Sequence, residues 1–332
     1  MKNILLIQTG GTIAMDISNT EQPTLNPAKW TKLIYQAIPE LSEIAHIEME
    51  RLFFEDSSDI HKEHWGKLTR FIHNKYENYD GFVILHGTDT MAYTASALSF
   101  ALQGLDKPVI LTGSQVPMSN IRSDARRNLV NAIEMATLSL PEVAICFNDF
   151  VYRGNRSTKM SIGDFDAFAS PNYPPLAEIG LNIEMRDHIC TPSDSLDVFT
   201  DFSDQVFLLK IYPNLNHGFL GKINFENIRT LIVEAFGSGN FPIHGDQSLL
   251  PFFEKCIQKD ILLVLTSQAA YDAVELNNYE SGRKAKQLGA LSAKDMTTEA
   301  TLTKIMYLLA KHNDNQKVAE QFNRNLVGEM TE

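Results

Sequence analysis

Short runs that are apolar throughout, separated by stretches of helical periodicity, constrain this chain more than any other feature. Residues 4–8, 81–85, 108–112 and 143–147 each read as a strand with almost no polar side. Such a strand must be buried on both faces, which is the condition inside a parallel sheet covered by helices. Between the strands, residues 62–79 place Trp65, Leu68, Phe71, Ile72 and Tyr76 at helical spacing, and residues 94–103 and 123–138 read as two further helices. The expected fold class is α/β.

Residues 184–205 interrupt this pattern with acidic, Ser and Thr residues and Pro192, and read as a linker. A second series follows: strand 206–212, a helix-like stretch 224–229, strand 230–235, helix 249–258 and strand 261–266. Amphipathic helices at 298–311 and 315–326 close the chain. Two α/β domains with mainly parallel sheets are expected. These are a larger N-terminal catalytic domain over 1–185, a linker over 186–205 and a smaller C-terminal domain over 206–332. No internal repeat and no low-complexity tract is present.

Charge narrows the partners. With 29 Lys+Arg against 41 Asp+Glu the formal charge is −12, and no basic stretch offers a nucleic acid or an anionic membrane a footing. After Met1-Lys2-Asn3 come only four apolar residues, Ile4 to Ile7, before Gln8. That run is too short for a signal sequence, and nowhere is there a membrane-spanning run of about 18 apolar residues. The three cysteines, Cys146, Cys190 and Cys256, are far apart and form no metal-binding pattern. A cytoplasmic protein with reduced thiols and no metal is expected.

In parallel sheets ligands gather on the loops after the carboxyl ends of the strands, and here those loops are rich in hydroxyls. They read Thr9-Gly10-Gly11-Thr12, Glu55-Asp56-Ser57-Ser58-Asp59, His86-Gly87-Thr88-Asp89-Thr90 and Gly113-Ser114-Gln115. The first lacks both the GxGxxG and the GK[ST] patterns, so dinucleotide and P-loop readings fail. Paired glycines let backbone N–H groups approach a ligand, and a following hydroxyl suits a nucleophile beside an oxyanion hole. By position alone, Thr12 serves equally as a helix cap, Asp89 as a cap for the next helix, and His86 as a structural histidine. A threonine hydroxyl needs a proton-handling partner. No Ser-His-Asp set is visible, and Lys159, from the polar stretch 152–159, is the candidate.

The runs Leu6-Ile7-Gln8-Thr9-Gly10-Gly11-Thr12-Ile13-Ala14 and Gly81-Phe82-Val83-Ile84-Leu85-His86-Gly87-Thr88-Asp89-Thr90-Met91 resemble the two signature motifs of bacterial-type L-asparaginases. The resemblance continues through Arg153-Gly154-Asn155-Arg156, Phe165-Asp166-Ala167-Phe168 and Gly237-Ser238-Gly239-Asn240 to residues 298–304, and so covers essentially the whole chain. Glu55–Asp59 and Thr112-Gly113-Ser114-Gln115 are similar to the cytoplasmic, type I branch. This resemblance implies hydrolysis of L-asparagine to L-aspartate and ammonia, without cofactor or metal. It assigns Thr12 as nucleophile, with Thr88, Asp89 and Lys159 as a second catalytic set. Asp56, Ser57, Thr88, Asp89, Ser114 and Asn240 would bind substrate, and the backbone N–H groups of Gly11 and Thr88 would form the oxyanion hole. It also implies a homodimer or homotetramer in which the segment around Asn240 serves the neighbouring subunit's site.

Residues 15–27 are expected to form a lid over the nucleophile. Many family members carry a tyrosine there, whereas the first tyrosine here is Tyr35; Thr20 or Thr24 is left to supply a hydroxyl. Glu234 and Ala269 stand where the family's second, regulatory asparagine site would carry arginine and cysteine, so that site is not expected. Two other readings compete. An ammonia-releasing amidotransferase subunit would carry an additional N-terminal domain. A non-catalytic amino-acid sensor would have no use for the hydroxyl–lysine pair. Asparagine and glutamine differ by one methylene, worth about 1–3 kcal/mol in a pocket, so weak glutaminase activity remains compatible with the sequence.

Overall fold

The computed structural model describes residues 1–14, 36, 38–193 and 195–332. They divide into two compact units, Met1–Thr200 and Asp201–Glu332. The chain is an α/β protein with a large, mostly parallel N-terminal sheet and a small parallel C-terminal one.

The described residues of the first unit form an eight-stranded sheet. Its strands are β1 (Asn3–Gly10), β2 (His46–Glu55), β3 (Gly81–Leu85), β4 (Val109–Thr112), β5 (Val143–Phe147), β6 (Phe150–Arg153), β7 (Ala177–Ile179) and β8 (Ile183–Met185). In space they run β8-β7-β6-β5-β4-β3-β1-β2. The five from β5 to β2 are parallel, and β6, β7 and β8 extend the sheet antiparallel. Along β1, Ile4 and Leu6 pack with Leu129 and Ile133 of helix 125–136, while Leu5 and Ile7 pack with Leu68, Ile72, Ala95 and Leu98 of helices 62–75 and 91–101. All four β1 residues are fully buried. Both faces are covered, which explains strands with no polar side.

Helices α1 (Lys62–Lys75), α2 (Met91–Ala101) and α3 (Ala125–Ala136) flank this sheet, and a one-turn helix Leu41–Ile44 packs in the same core. Helix α2 starts three residues before the expected 94, because nearly every position on it is buried and no amphipathic stripe marks its start. The expected linker 186–205 is not wholly a linker. Cys190 N donates to Glu142 Oε1 at 2.6 Å, and strand Asp197–Val198 pairs antiparallel with Leu102–Gln103. Residues up to Thr200 therefore belong to the first unit.

In the second unit, β9 (Val206–Lys210), β10 (Thr230–Ala235), β11 (Leu262–Ser267) and β12 (Leu291–Ser292) form a parallel sheet in that order. Helices α4 (Leu250–Gln258), α5 (Glu280–Gln287), α6 (Thr298–Lys311) and α7 (Asn315–Phe322) accompany it. The stretch 224–229 is not helical. Asn224 Oδ1 instead accepts from Glu226 N at 3.0 Å, a side-chain turn that competes with helix in so short a segment.

Lys304 on α6 and Glu329 have fully buried side chains and pair at 2.5 Å. Lys304 Nζ also donates to Phe322 O (2.8 Å) and Arg324 O (2.6 Å), so its three protons are used. Glu329 accepts from Leu326 N and Val327 N. Removing one partner strands a buried charge, at a cost of about 3–5 kcal/mol. Lys304→Met is therefore expected to lower the urea midpoint by an amount equivalent to that loss; a shift worth less than about 1 kcal/mol would contradict the pairing.

Candidate active site

The site begins where β1 ends. Gly10 (φ +120°) and Gly11 (φ +86°) lie in the left-handed region that favours glycine. Space demands glycine as well. A Cβ on Gly10 would sit 2.1 Å from Glu55 O, and one on Gly11 would sit 2.4 Å from Gly87 N. The backbone of the first loop is thus pressed against the loop after β3. Thr9 Oγ1 reinforces this by donating to Leu85 O at 2.6 Å. Thr12 then opens a one-turn 3₁₀ helix, Thr12–Ala14, with its side chain half-buried.

The loop after β2 joins from the other side. A Cβ on Gly87 would meet Ser57 Oγ at 2.6 Å, and Thr90 Oγ1 donates to Ser57 O at 2.6 Å. Asp56 caps the turn Ser57–Asp59. The backbone N–H and the hydroxyl of Ser58 both donate to Asp56 Oδ1 at 2.8 Å, and they hold that carboxyl below the usual carboxylate range.

Lys159 enters on a two-residue strand, Thr158–Lys159, paired antiparallel with Phe168–Ala169. Its Nζ donates to Thr88 Oγ1 at 2.8 Å and to Asp89 Oδ1 at 2.6 Å. Thr88 is buried and Asp89 is mostly exposed. The structure therefore brings Thr88, Asp89 and Lys159 into one hydrogen-bonded group, next to the backbone from which Thr12 departs. Ser114, beyond β4, is buried, and its Oγ has no hydrogen-bond partner among the described residues.

Gln115 has no assigned role in the sequence reading, yet it joins this group. Its Nε2 donates to Ser161 O (3.2 Å) and Asp164 O (3.1 Å), and its Oε1 accepts from Thr88 Oγ1 at 3.3 Å. The two carbonyls fix the amide orientation, so Thr88 directs its hydroxyl proton at Gln115 while accepting from the Lys159 ammonium. Buried Asp124 supports the turn by accepting from Gln115 N (3.0 Å) and Val116 N (3.1 Å). The one available signal was a long amide directly after a strand-end Gly-Ser.

Asn240 lies in the second unit, in the tight turn after β10, where Gly237 (φ +46°) and Gly239 (φ +97°) are both left-handed. Ser281 Oγ donates to Asn240 Oδ1 at 2.8 Å. The expected lid, with Thr20 and Thr24, lies outside the described residues. Burial pulls the His86 imidazolium down to about 4, so the ring is neutral at pH 7. Among the described residues, no three His, Cys, Asp or Glu side chains group as a metal site, and no helix is long and apolar enough to cross a membrane.

Two family models match in order along the chain: "Asparaginase, N-terminal" over residues 3–190 and "Glutaminase/Asparaginase C-terminal domain" over residues 205–322. L-asparaginase 1 of Escherichia coli (strain K12) is 38% identical over 336 residues, covering 99% of this chain and 98% of that protein. The crystal structure of L-asparaginase I from Vibrio cholerae aligns with a TM-score of 0.90 at 36% identity, covering 99% of each chain. A glutamyl-tRNA(Gln) amidotransferase component of Pyrococcus abyssi is 31% identical over 343 residues, covering 100% of this chain and 77% of that protein.

If Gln115 ties the Lys159 ribbon to Thr88, Gln115→Leu should loosen the loop 161–166. Each lost bond is worth about 1 kcal/mol, so amide exchange at Gly163 and Asp164 is expected to rise by roughly tenfold or more. Unchanged protection in hydrogen-exchange mass spectrometry would contradict the tie.

Proposed function

The chain belongs to the asparaginase family, with L-asparaginase homologues over its full length, and from that premise we propose that it hydrolyses L-asparagine with Thr12 as the nucleophile. The observation that carries this reading is the Lys159 amine, 2.8 Å from the Thr88 hydroxyl and 2.6 Å from the Asp89 carboxylate, both on the loop whose Gly87 backbone lies against Gly11.

In the first step Thr12 Oγ bonds to the side-chain acyl carbon of asparagine. The C–N bond breaks, and ammonia leaves carrying the proton of the nucleophile. In the second step a water cleaves the ester, giving aspartate and restoring the Thr12 hydroxyl. Lys159 handles protons through Thr88. Taking one from that hydroxyl requires Nζ to have given up one of its own protons and the Thr88 O–H to turn from Gln115 toward it, a rotation about a single bond. The N–H groups of Gly11 and Thr88 stabilise the developing oxyanion. Asp56 and Asp89 face the α-ammonium, Ser57 the α-carboxylate, and Ser114, whose buried hydroxyl has no partner among the described residues, the reacting carboxamide.

Glutamine is turned over weakly, since one extra methylene separates the substrates by only about 1–3 kcal/mol. The protein acts in the cytoplasm as a homodimer or homotetramer, with Asn240 completing a neighbouring subunit's site. The amidotransferase and sensor readings predict little ammonia from free asparagine, and the assay below separates them.

Purified protein should release ammonia from L-asparagine. Thr12→Val and Lys159→Met should each lower that rate by about three orders of magnitude or more with unchanged circular dichroism. Turnover that survives in either folded variant would remove that residue from the mechanism.

Asp56 supplies a pH test. Its anion must be present to hold an ammonium, and the Ser58 donors keep it present to lower pH. Removing the hydroxyl in Ser58→Ala raises the carboxyl midpoint, so the acid limb of the kcat/KM profile should move to higher pH. An unmoved acid limb would contradict the role given to Asp56.

A further inference from the structure

Behind the active-site loop runs a buried chain of hydrogen bonds in which each proton has only one place to go. Trp65 Nε1 on α1 lies 3.1 Å from Thr94 Oγ1 on α2. Thr94 Oγ1 lies 2.9 Å from His86 Nε2, and His86 Nδ1 lies 2.7 Å from Gly87 O. All three side chains are buried. An indole nitrogen only donates, and a carbonyl oxygen only accepts. Gly87 O therefore requires the His86 proton on Nδ1. Nε2 of the neutral ring is then an acceptor, and Thr94, which accepts from Trp65, donates to it. The tautomer of His86 is fixed from both ends.

The carbonyl so held belongs to the Gly87–Thr88 peptide. That unit is planar and trans, so anchoring its oxygen on one side aims the Thr88 N–H to the other. We propose that His86 is a positioning residue, which orients the Thr88 backbone N–H toward the oxyanion of the reacting amide. The inference rests on the hydrolase reading above and extends it to a residue that touches no substrate. The close packing of Gly11 against Gly87 leaves the peptide little freedom to tilt in one direction; His86 limits its rotation from the other end. A histidine serves here because its δ nitrogen reaches the next residue's carbonyl while its ε nitrogen is clamped by a helix.

Two measurements test this. Imidazole ¹⁵N chemical shifts of the wild-type protein at neutral pH should show His86 protonated on Nδ1 alone. In kinetics, His86→Asn keeps a donor at the δ position, whereas His86→Gln moves the amide out to the ε position and leaves Gly87 O unheld. Losing one oxyanion donor costs about 10²–10³ in turnover. Misaiming it in His86→Gln should lower kcat by roughly 10- to 100-fold with KM within about twofold. His86→Asn should recover most of that loss. An Nε2-protonated wild-type ring, a His86→Gln enzyme with wild-type kcat, or an Asn variant no better than the Gln variant would each overturn the inference. A wild-type protein that releases no ammonia would overturn the hydrolase reading and this inference together. An active wild type with any of the three contrary results overturns this inference alone.

Discussion

Backbone touches backbone where the central strands of the first unit end, and the active-site geometry depends on that contact. Three glycines permit it. A Cβ on Gly10 would lie 2.1 Å from Glu55 O, one on Gly11 2.4 Å from Gly87 N, and one on Gly113 2.3 Å from His86 O. No side chain separates these loop backbones, so the residues that follow the glycines start from backbones in contact. Chemistry that needs reacting groups within about 3 Å can be built on loops only when the floor beneath them is this tight.

Above the floor, a second layer of buried polar groups fixes what the loops present. Asp124 holds the turn at Gln115 and Val116. Gln115 holds both the Lys159 ribbon and the Thr88 hydroxyl. Ser58 holds the Asp56 carboxylate, and His86 holds the Gly87 carbonyl. Each is polar and tied to a loop backbone or to another side chain, so the layer costs little in unsatisfied groups. The net charge of −12 plays no part in this: asparagine is a zwitterion with no net charge to attract.

How much of this the sequence disclosed follows from burial. The central strands were legible because both of their faces are covered, and 81–85 and 143–147 match the observed bounds. Of strand β2 only the carboxyl end was marked, by the loop Glu55–Asp59, since as an edge strand it mixes half-buried and exposed positions. Three-residue β7 and β8 depend on pairing partners that local pattern cannot supply. Helix α5 was missed because its mean composition is polar and only Ser281, Gly282 and Ala285 are buried. At the site, residue types and strand-end positions brought out Thr12 and Asp89, each with capping as the alternative, and Thr88 took its role from the family resemblance. Lys159 was the candidate proton partner by residue type, but nothing local placed it, because a two-residue ribbon, with no periodicity of its own, carries it to Thr88. Gln115 and His86 act through backbone carbonyls whose positions no motif encodes.

The proposed hydrolysis requires Thr12 to become covalently acylated during turnover. Rapid acid quenching during steady-state hydrolysis of L-asparagine, followed by peptide mass spectrometry, tests it most directly. A β-aspartyl ester on the peptide carrying Thr12, absent from Thr12→Val, is the expected result. An ester on Thr88 instead, in an enzyme that turns over, would contradict it.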